Sequence, residues 1–254
     1  MKKILVYLSI KYKGKWEDIY KAIAEKQKVD LDEAEEKIKK LDCNYLTILD
    51  ENYPQEFKTI EKPPFVIFYR GDINLLNSKN KRVAIIGSRE NSSHGEKITI
   101  KTIDDINSDV CVVSGLAKGI DSIAQKRCLK RNIKTIAILG NGLNHFYPLE
   151  NKDLQKDIET KGLVISEYPP FSKSCKENFP VRNRIIAALS RKVLVVEAKK
   201  RSGTMITVSY ALEFGKDVCC YPERANIESG CNFLIQQGAR LVCNTKDFLD
   251  DEAF

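Results

Sequence analysis

KVLVVEAKKRSGTMITVSYALEFGKDVCCYP, residues 192–222, decides the architecture. It opens on an almost unbroken β-branched run (KVLVVEA, 192–198) and crosses a short Lys/Ser/Gly segment. It then leaves room for a helix before closing in a second apolar run (DVCCYP, 217–222). A strand with one wet face alternates apolar and polar residues; one covered on both faces is apolar nearly throughout. The stretch therefore reads as strand, helix, strand in a parallel sheet with helices on both sides.

The same grammar extends outward. RVAIIG (82–87), DVCVVSG (109–115), KTIAILG (134–140) and GLVISE (162–167) precede it, and ARLVCN (239–244) follows, most of them separated by helix-length segments. The expectation is an α/β fold with a doubly wound, mostly parallel sheet over residues 81–254. Residues 43–80 form a lead-in, with Pro63-Pro64 as a rigid turn into the short strand FVIFYRG. Residues 1–42 are helix-like and highly charged, and Asp30 with Glu33 has the spacing of a capping box.

The chain has 254 residues, 43% apolar and 30% charged, enough for a large core. A net charge of +7 permits a polyanionic partner. Eight cysteines lack CxxC spacing and only two histidines occur, so no zinc site is expected; the thiols read as reduced and buried. The apolar run in MKKILVYLSIKYKGK is too short to span a bilayer, and no cleavage site follows. The expected setting is soluble and cytoplasmic, with no membrane partner.

In such a sheet ligands sit beyond the carboxyl ends of the strands. Those ends carry Gly87-Ser88-Arg89, Ser114-Gly115, Gly140, and Ser202-Gly203-Thr204. Glycine admits close backbone approach, hydroxyls donate, and helix N-termini offer free N–H groups. Arg89, Arg182 and Arg184 add bidentate donors. The sum is a phosphate-binding rim. It accounts for an oddity in FPVRNRIIAALS (179–190): Arg182 and Asn183 head the apolar stripe of Ile186 and Leu189, which suits a helix whose first turn opens into a crevice. The plainer readings are a solvated Arg184 and a simple helix cap at Ser202. Glu197 is the one carboxylate placed for catalysis, or else an anchor for a nearby loop or helix end. His145 is expected to pack beside Tyr147. KSCKENFPVRNR mixes Lys173 and Lys176 with Phe171 and Phe179; cations beside rings suit single-stranded nucleic acid, with Phe179 stacking on a base, or Phe179 is a hydrophobic staple. The chain lacks GxGxxG, a P-loop and a local Ser-His-Asp set.

VAIIGSR, SGLAKGIDSIAQ, TIAILGNGLNHFYPLEN, LVISEYPP, NFPVRNRIIAALS, VLVVEAKKRSGTMITVSYALEFGKDV and GCNFLIQQGARLV resemble, in order, the motifs of the DprA/Smf DNA-processing family. The resemblance covers residues 43 to about 249. It implies an extended Rossmann-like domain that binds single-stranded DNA without reading sequence, forms homodimers and helps load RecA in natural transformation. The family is not established as an enzyme, and neither cofactor nor metal is implied. The phosphate pocket would map to Ser88, Arg89, Ser114, Gly115, Arg182, Asn183, Ser202 and Gly203, with Lys176 and Phe179 at its lip; Arg184 and Thr204 complete the candidate set. Departures are Gln125 where histidine is frequent, Pro222-Glu223 in place of Pro-Gly, no winged-helix module, and only Gly14 where a helix-hairpin-helix would need more. Both departures in the core would fall near the strand-end rim.

The rival is a nucleotide-binding or phosphoribohydrolase-like enzyme; KRSGTMIT lacks the PGGxGT loop such an enzyme would carry. CNFLIQQGARLV cannot bury Phe233, Leu234 and Ile235 on one helix face, since successive residues turn by about 100°. Asn232, Ile235 and Leu241 are assigned to a dimer surface in that segment. The alternative is that TKDFLDDEAF folds back through Phe248 and Leu249 to cover it.

Overall fold

The computed structural model describes residues 1–76 and 81–249. Three helices, α1 (Lys2–Lys11), α2 (Trp16–Ala24) and α3 (Leu31–Lys39), precede β1 (Asn44–Thr47), the single turn α4 (Gln55–Lys58) and β2 (Val66–Gly71). The alternation then runs β3 (Lys81–Ile86), α5 (Ser93–Asp105), β4 (Val110–Ser114), α6 (Ile120–Lys130), β5 (Lys134–Leu139), α7 (Lys152–Lys161) and β6 (Leu163–Ser166). It continues with α8 (Asn178–Leu189), β7 (Lys192–Val195), α9 (Gly203–Glu213), β8 (Asp217–Cys220), α10 (Gly230–Gln236), β9 (Arg240–Leu241) and α11 (Thr245–Leu249).

The strands form one sheet in the order β1-β2-β6-β5-β4-β3-β7-β8-β9. From β6 to β9 every pairing is parallel; β2 joins β6, and β1 joins β2, antiparallel. This is the expected doubly wound sheet, with the lead-in supplying two extra strands. Successive residues of a strand face opposite layers. In β3, Ala84 and Ile86 join one core with α8, α9 and α10, while Val83 and Ile85 join another with α5 and α6. That double burial is why these strands read as unbroken apolar runs.

The N-terminal helices pack on this frame. Gly14 has φ of +74°, and a Cβ there would lie 2.9 Å from the Glu167 carbonyl, so the chain crosses close to the end of β6. The Trp16 indole donates to the Pro63 carbonyl at 2.8 Å and stacks between Tyr20 and Phe65. Asp30 caps α3, accepting from the Asp32 and Glu33 amides at 2.9 and 3.2 Å. The reciprocal half of the capping box is not formed, because the Glu33 carboxylate accepts from the Tyr7 hydroxyl and pairs with Lys37.

Three further expectations are corrected. ARLVCN yields only a two-residue strand: Val242 turns into the α5/α6 core, and the Cys243 and Asn244 amides donate to Asp247 at 2.8 and 2.9 Å at the start of α11. Gln125 is not at the rim; its buried amide donates to the Thr135 hydroxyl and the Ile136 carbonyl, below β5's carboxyl end. Phe248 does fold back and is fully buried, but against Ile103 and Val242, leaving Phe233 and Leu241 uncovered; residues 250–254 of the proposed fold-back lie outside the described residues. Among the described residues no helix is long and apolar enough to cross a membrane.

Candidate functional site

Strand order reverses between β3 and β7: β3 leads through β4 and β5 to β6 on one side, and β7 leads to β8 and β9 on the other. The segments leaving β3 and β7 therefore diverge, and a crevice opens at their carboxyl ends. It holds a cavity of about 490 Å³, walled by residues 87–90, the start of α6, and the first turns of α8 and α9. Backbone contacts brace it. The Ser88 amide donates to the Glu197 carbonyl at 2.7 Å, the Ile120 amide to the Ser88 carbonyl at 3.1 Å, and the Thr204 hydroxyl to the Gly87 carbonyl at 3.0 Å. Gly119 has φ of +77°, and any Cβ there would collide with the Ser88 carbonyl.

Arg182 reaches across the floor. Its guanidinium donates to the Gly115 carbonyl at 2.7 Å, to the Ile138 carbonyl, and through Nε to Asn183 Oδ1 at 3.2 Å. A Cβ at Gly115 would sit 2.7 Å from Arg182 Nη1 and 2.8 Å from Asp121 Oδ2, so any side chain there would displace both charged groups. Burial pushes the Arg182 guanidinium down to about 10, with Asp121 opposing, so it stays charged at neutral pH. Burial also raises Asp121, against the pull of Arg182 and of the Gly115 amide that donates to it at 3.1 Å. Asn183 ties α8 to α9 by donating to the Gly203 carbonyl at 3.3 Å.

The lip is aromatic and cationic. The Phe179 ring lies 5.2 Å from Tyr147 and 5.7 Å from the Arg89 guanidinium, with Lys176 beside it on the cavity wall. Gly140 lets this ring approach; a Cβ there would be 2.7 Å from Phe179 Cδ1. Phe179 is the second residue of α8 and faces these groups, so it is not a staple. Ser202 precedes α9 but makes no capping bond, and its buried Oγ has no partner among the described residues. Gly203 has open space where a side chain would be. The N-terminus of α9 thus borders the cavity with no side chain capping its first amides, a ready anion site.

Ser88, Arg89, Lys176, Phe179, Arg182, Asn183, Ser202, Gly203 and Thr204 line this cavity, and Gly115 lines a smaller one beside Tyr147 and Pro148. Two expected members are corrected. Ser114 is buried within the sheet, its hydroxyl donating to the Ile85 carbonyl at 2.7 Å. Arg184 is neither solvated nor at the rim: it is buried, pairs with Glu167 at 2.7 Å and donates to the Lys62 carbonyl at 3.0 Å. Burial pulls its guanidinium down, and Glu167 more than offsets this, leaving it raised. Glu197 is the anchor, not a free carboxylate: it accepts from the Ser92 amide at 3.0 Å and hydroxyl at 2.7 Å, holding the start of α5. His145 meets Ser174 Oγ at 3.2 Å. Among the described residues no His/Cys/Asp/Glu cluster could hold a metal. Tyr147 and the Lys199–Glu90 pair escaped sequence reasoning as members of the site; Tyr147 followed a strand end in NHFYP, the one visible signal.

In the proposed pairing segment, the Asn232 side chain clamps the Glu223 backbone at 2.9 Å in both directions. Glu223 accepts from Ser229, so the Pro222-Glu223 departure is accommodated by a hydrogen-bonded loop. Ile235 is half-buried against the core, whereas Leu241 on β9 is 45% exposed.

A family model described as DNA recombination-mediator protein A matches residues 44–253. The chain is similar to DNA processing protein DprA of Streptococcus pneumoniae, 45% identical over 210 residues, covering 82% of this chain and 74% of that one. It is 42% identical to Protein Smf of Synechocystis over 81% of this chain, and spans about half (53%) of that relative. Among solved structures, Streptococcus pneumoniae DprA superposes with a TM-score of 0.82 at 41% identity, covering 92% of this chain and 79% of that one. DNA processing protein A of Helicobacter pylori, described for its single-stranded DNA binding mode, gives a TM-score of 0.74 at 32% identity over 82% of this chain and 95% of that one.

Proposed function

The chain belongs to the DNA recombination-mediator protein A (DprA/Smf) family, and from that membership we propose that it binds single-stranded DNA without reading sequence. The observation that carries this is one cavity in which Arg89, Lys176, Arg182 and the uncapped start of α9 meet a Phe179–Tyr147 pair at the lip. Cations and amides suit a phosphate, and the rings suit a base. Asn183, the one amide side chain in the lining, is engaged on both sides, accepting from Arg182 and donating to the Gly203 carbonyl, rather than held ready for a base edge. The chemistry is binding rather than catalysis: Glu197 is engaged at α5, and Asp121 accepts backbone amides. In this reading the bound strand becomes the substrate on which a RecA-type recombinase loads, and two copies act together through the α10–β9 segment.

Titrating the protein with single- and double-stranded oligonucleotides across a salt series tests the central claim. Tighter binding of single strands is expected, with a log–log slope of roughly −0.7 per phosphate neutralised. A flat salt response, or equal affinity for duplex, refutes it.

A further inference from the structure

Beside the cavity run two segments that share Tyr147 and Lys176 with it but carry further rings and cations that the site above leaves unused. The segment after β5 and the segment after β6 run together: the Gly142 amide donates to the Ser172 carbonyl at 2.9 Å, and the Asn144 amide to the Pro170 carbonyl at 2.8 Å. Gly142 permits this, because a Cβ would collide with the Pro169 and Pro170 carbonyls. One segment carries Phe146 and Tyr147, the other the exposed Phe171. Tyr147 is the ring that meets Phe179, and Phe146 is its chain neighbour, outside the lining of both cavities.

Two ammoniums flank Phe146, Lys152 at 5.3 Å and Lys156 at 6.0 Å from the ring centroid. Four residues apart on α7, they share one face. Lys173 and Lys176 are exposed on the opposite segment. Among the described residues none of these four makes an ion pair, whereas Lys118 and Lys199, which also border the two cavities, pair with Glu150 and Glu90. Lys152 is also the first residue of α7, where the helix dipole disfavours a cation. Unpaired cations held beside a half-buried ring, one of them at the unfavourable helix end, match a ligand that alternates phosphates with flat bases.

Resting on the reading of the cavity as a phosphate site for single-stranded DNA, we infer that the strand leaves past Tyr147 and continues over Phe146, with a base on that ring and phosphates on Lys152 and Lys156. The test measures affinity of the full chain for oligothymidylates of about 4 and about 12 nucleotides, lengths that bracket a short and an extended site. Phe146→Leu keeps the apolar packing but removes the stacking ring, and Lys152→Ala/Lys156→Ala removes both cations. Each should lose about fivefold or more on the long strand and bind the short one as the wild type does. The lysine variant should also lower the long-strand salt slope by roughly 1.4, two phosphates' worth. Its melting temperature should not fall, since it removes one cation, Lys152, from the wrong end of a helix and puts alanine, the best helix former, at both positions. Arg89→Ala should lose affinity at both lengths. If Phe146→Leu and the lysine variant bind the long strand normally while Arg89→Ala does not, the exit path is wrong and the cavity stands. If Arg89→Ala is also normal at both lengths, the cavity reading falls and the path with it.

Discussion

Arg182 and Arg184 sit two residues apart on α8 and point about 200° apart, since each residue turns the helix by about 100°. Arg182 enters the cavity, while Arg184 meets Glu167 in the core. Truncating Arg184 strands a buried carboxylate, so Arg184→Ala should destabilise the fold by about 3–5 kcal/mol in denaturant melts. Arg89 is exposed at the lip. Arg89→Ala should leave stability within about 0.5 kcal/mol while weakening single-strand binding roughly tenfold or more, the value of a charged hydrogen bond to phosphate. The opposite pattern, a stability loss at Arg89 and a binding loss alone at Arg184, would invert the assignment. The arginine pair was legible in the sequence; its division of labour was not, because the partner of Arg184 arrives from the end of β6. Ser114 shows the same limit. Its position at a strand end was visible, but the direction of its hydroxyl depends on the neighbouring Ile85 carbonyl.

At the scale of elements, six apolar runs became β3 to β8 because burial on both faces leaves an unmistakable pattern. The last run shrank to β9, since the acidic side chain of Asp247 takes the amides that would have continued the strand, a contact no periodicity reveals. Helix starts were legible as residue types but not as geometry. Asp30 and Ser202 both precede helices; only Asp30 caps one. Asp30→Ala should therefore cost about 1 kcal/mol, the usual loss for a working cap. Ser202→Ala should cost nothing measurable, because it removes a buried hydroxyl with no partner, yet it should weaken DNA binding at the open end of α9. Thermal melts of the two variants side by side check the contrast. An equal loss in both would mean that Ser202 is a structural cap.

For the whole molecule, the β9 edge of the sheet ends in two exposed residues, and Leu241 there is an exposed apolar side chain that α11 does not cover. Unpaired edges and apolar neighbours favour a second copy of the chain. Leu241→Glu should turn a dimer into a folded monomer in sedimentation, because an unpaired carboxylate cannot be buried cheaply. Ile235 is less suited to the test, being packed against the core. A wild type already monomeric at micromolar concentration would end the proposal. The sheet order has one more consequence, which concerns birth rather than binding. Glu197 clasps Ser92 across 105 residues of sequence, and Thr204 holds Gly87 across 117. A ribosome delivers the chain in order, so β3 emerges and pairs with β4 long before β7 exists to cover its other edge. Through that interval the nascent chain presents a bare apolar strand edge and no cavity. Competence to hold a strand should therefore be acquired late, and nascent chains stalled before Thr204 leaves the ribosome should fail to retain an oligonucleotide that the released protein captures.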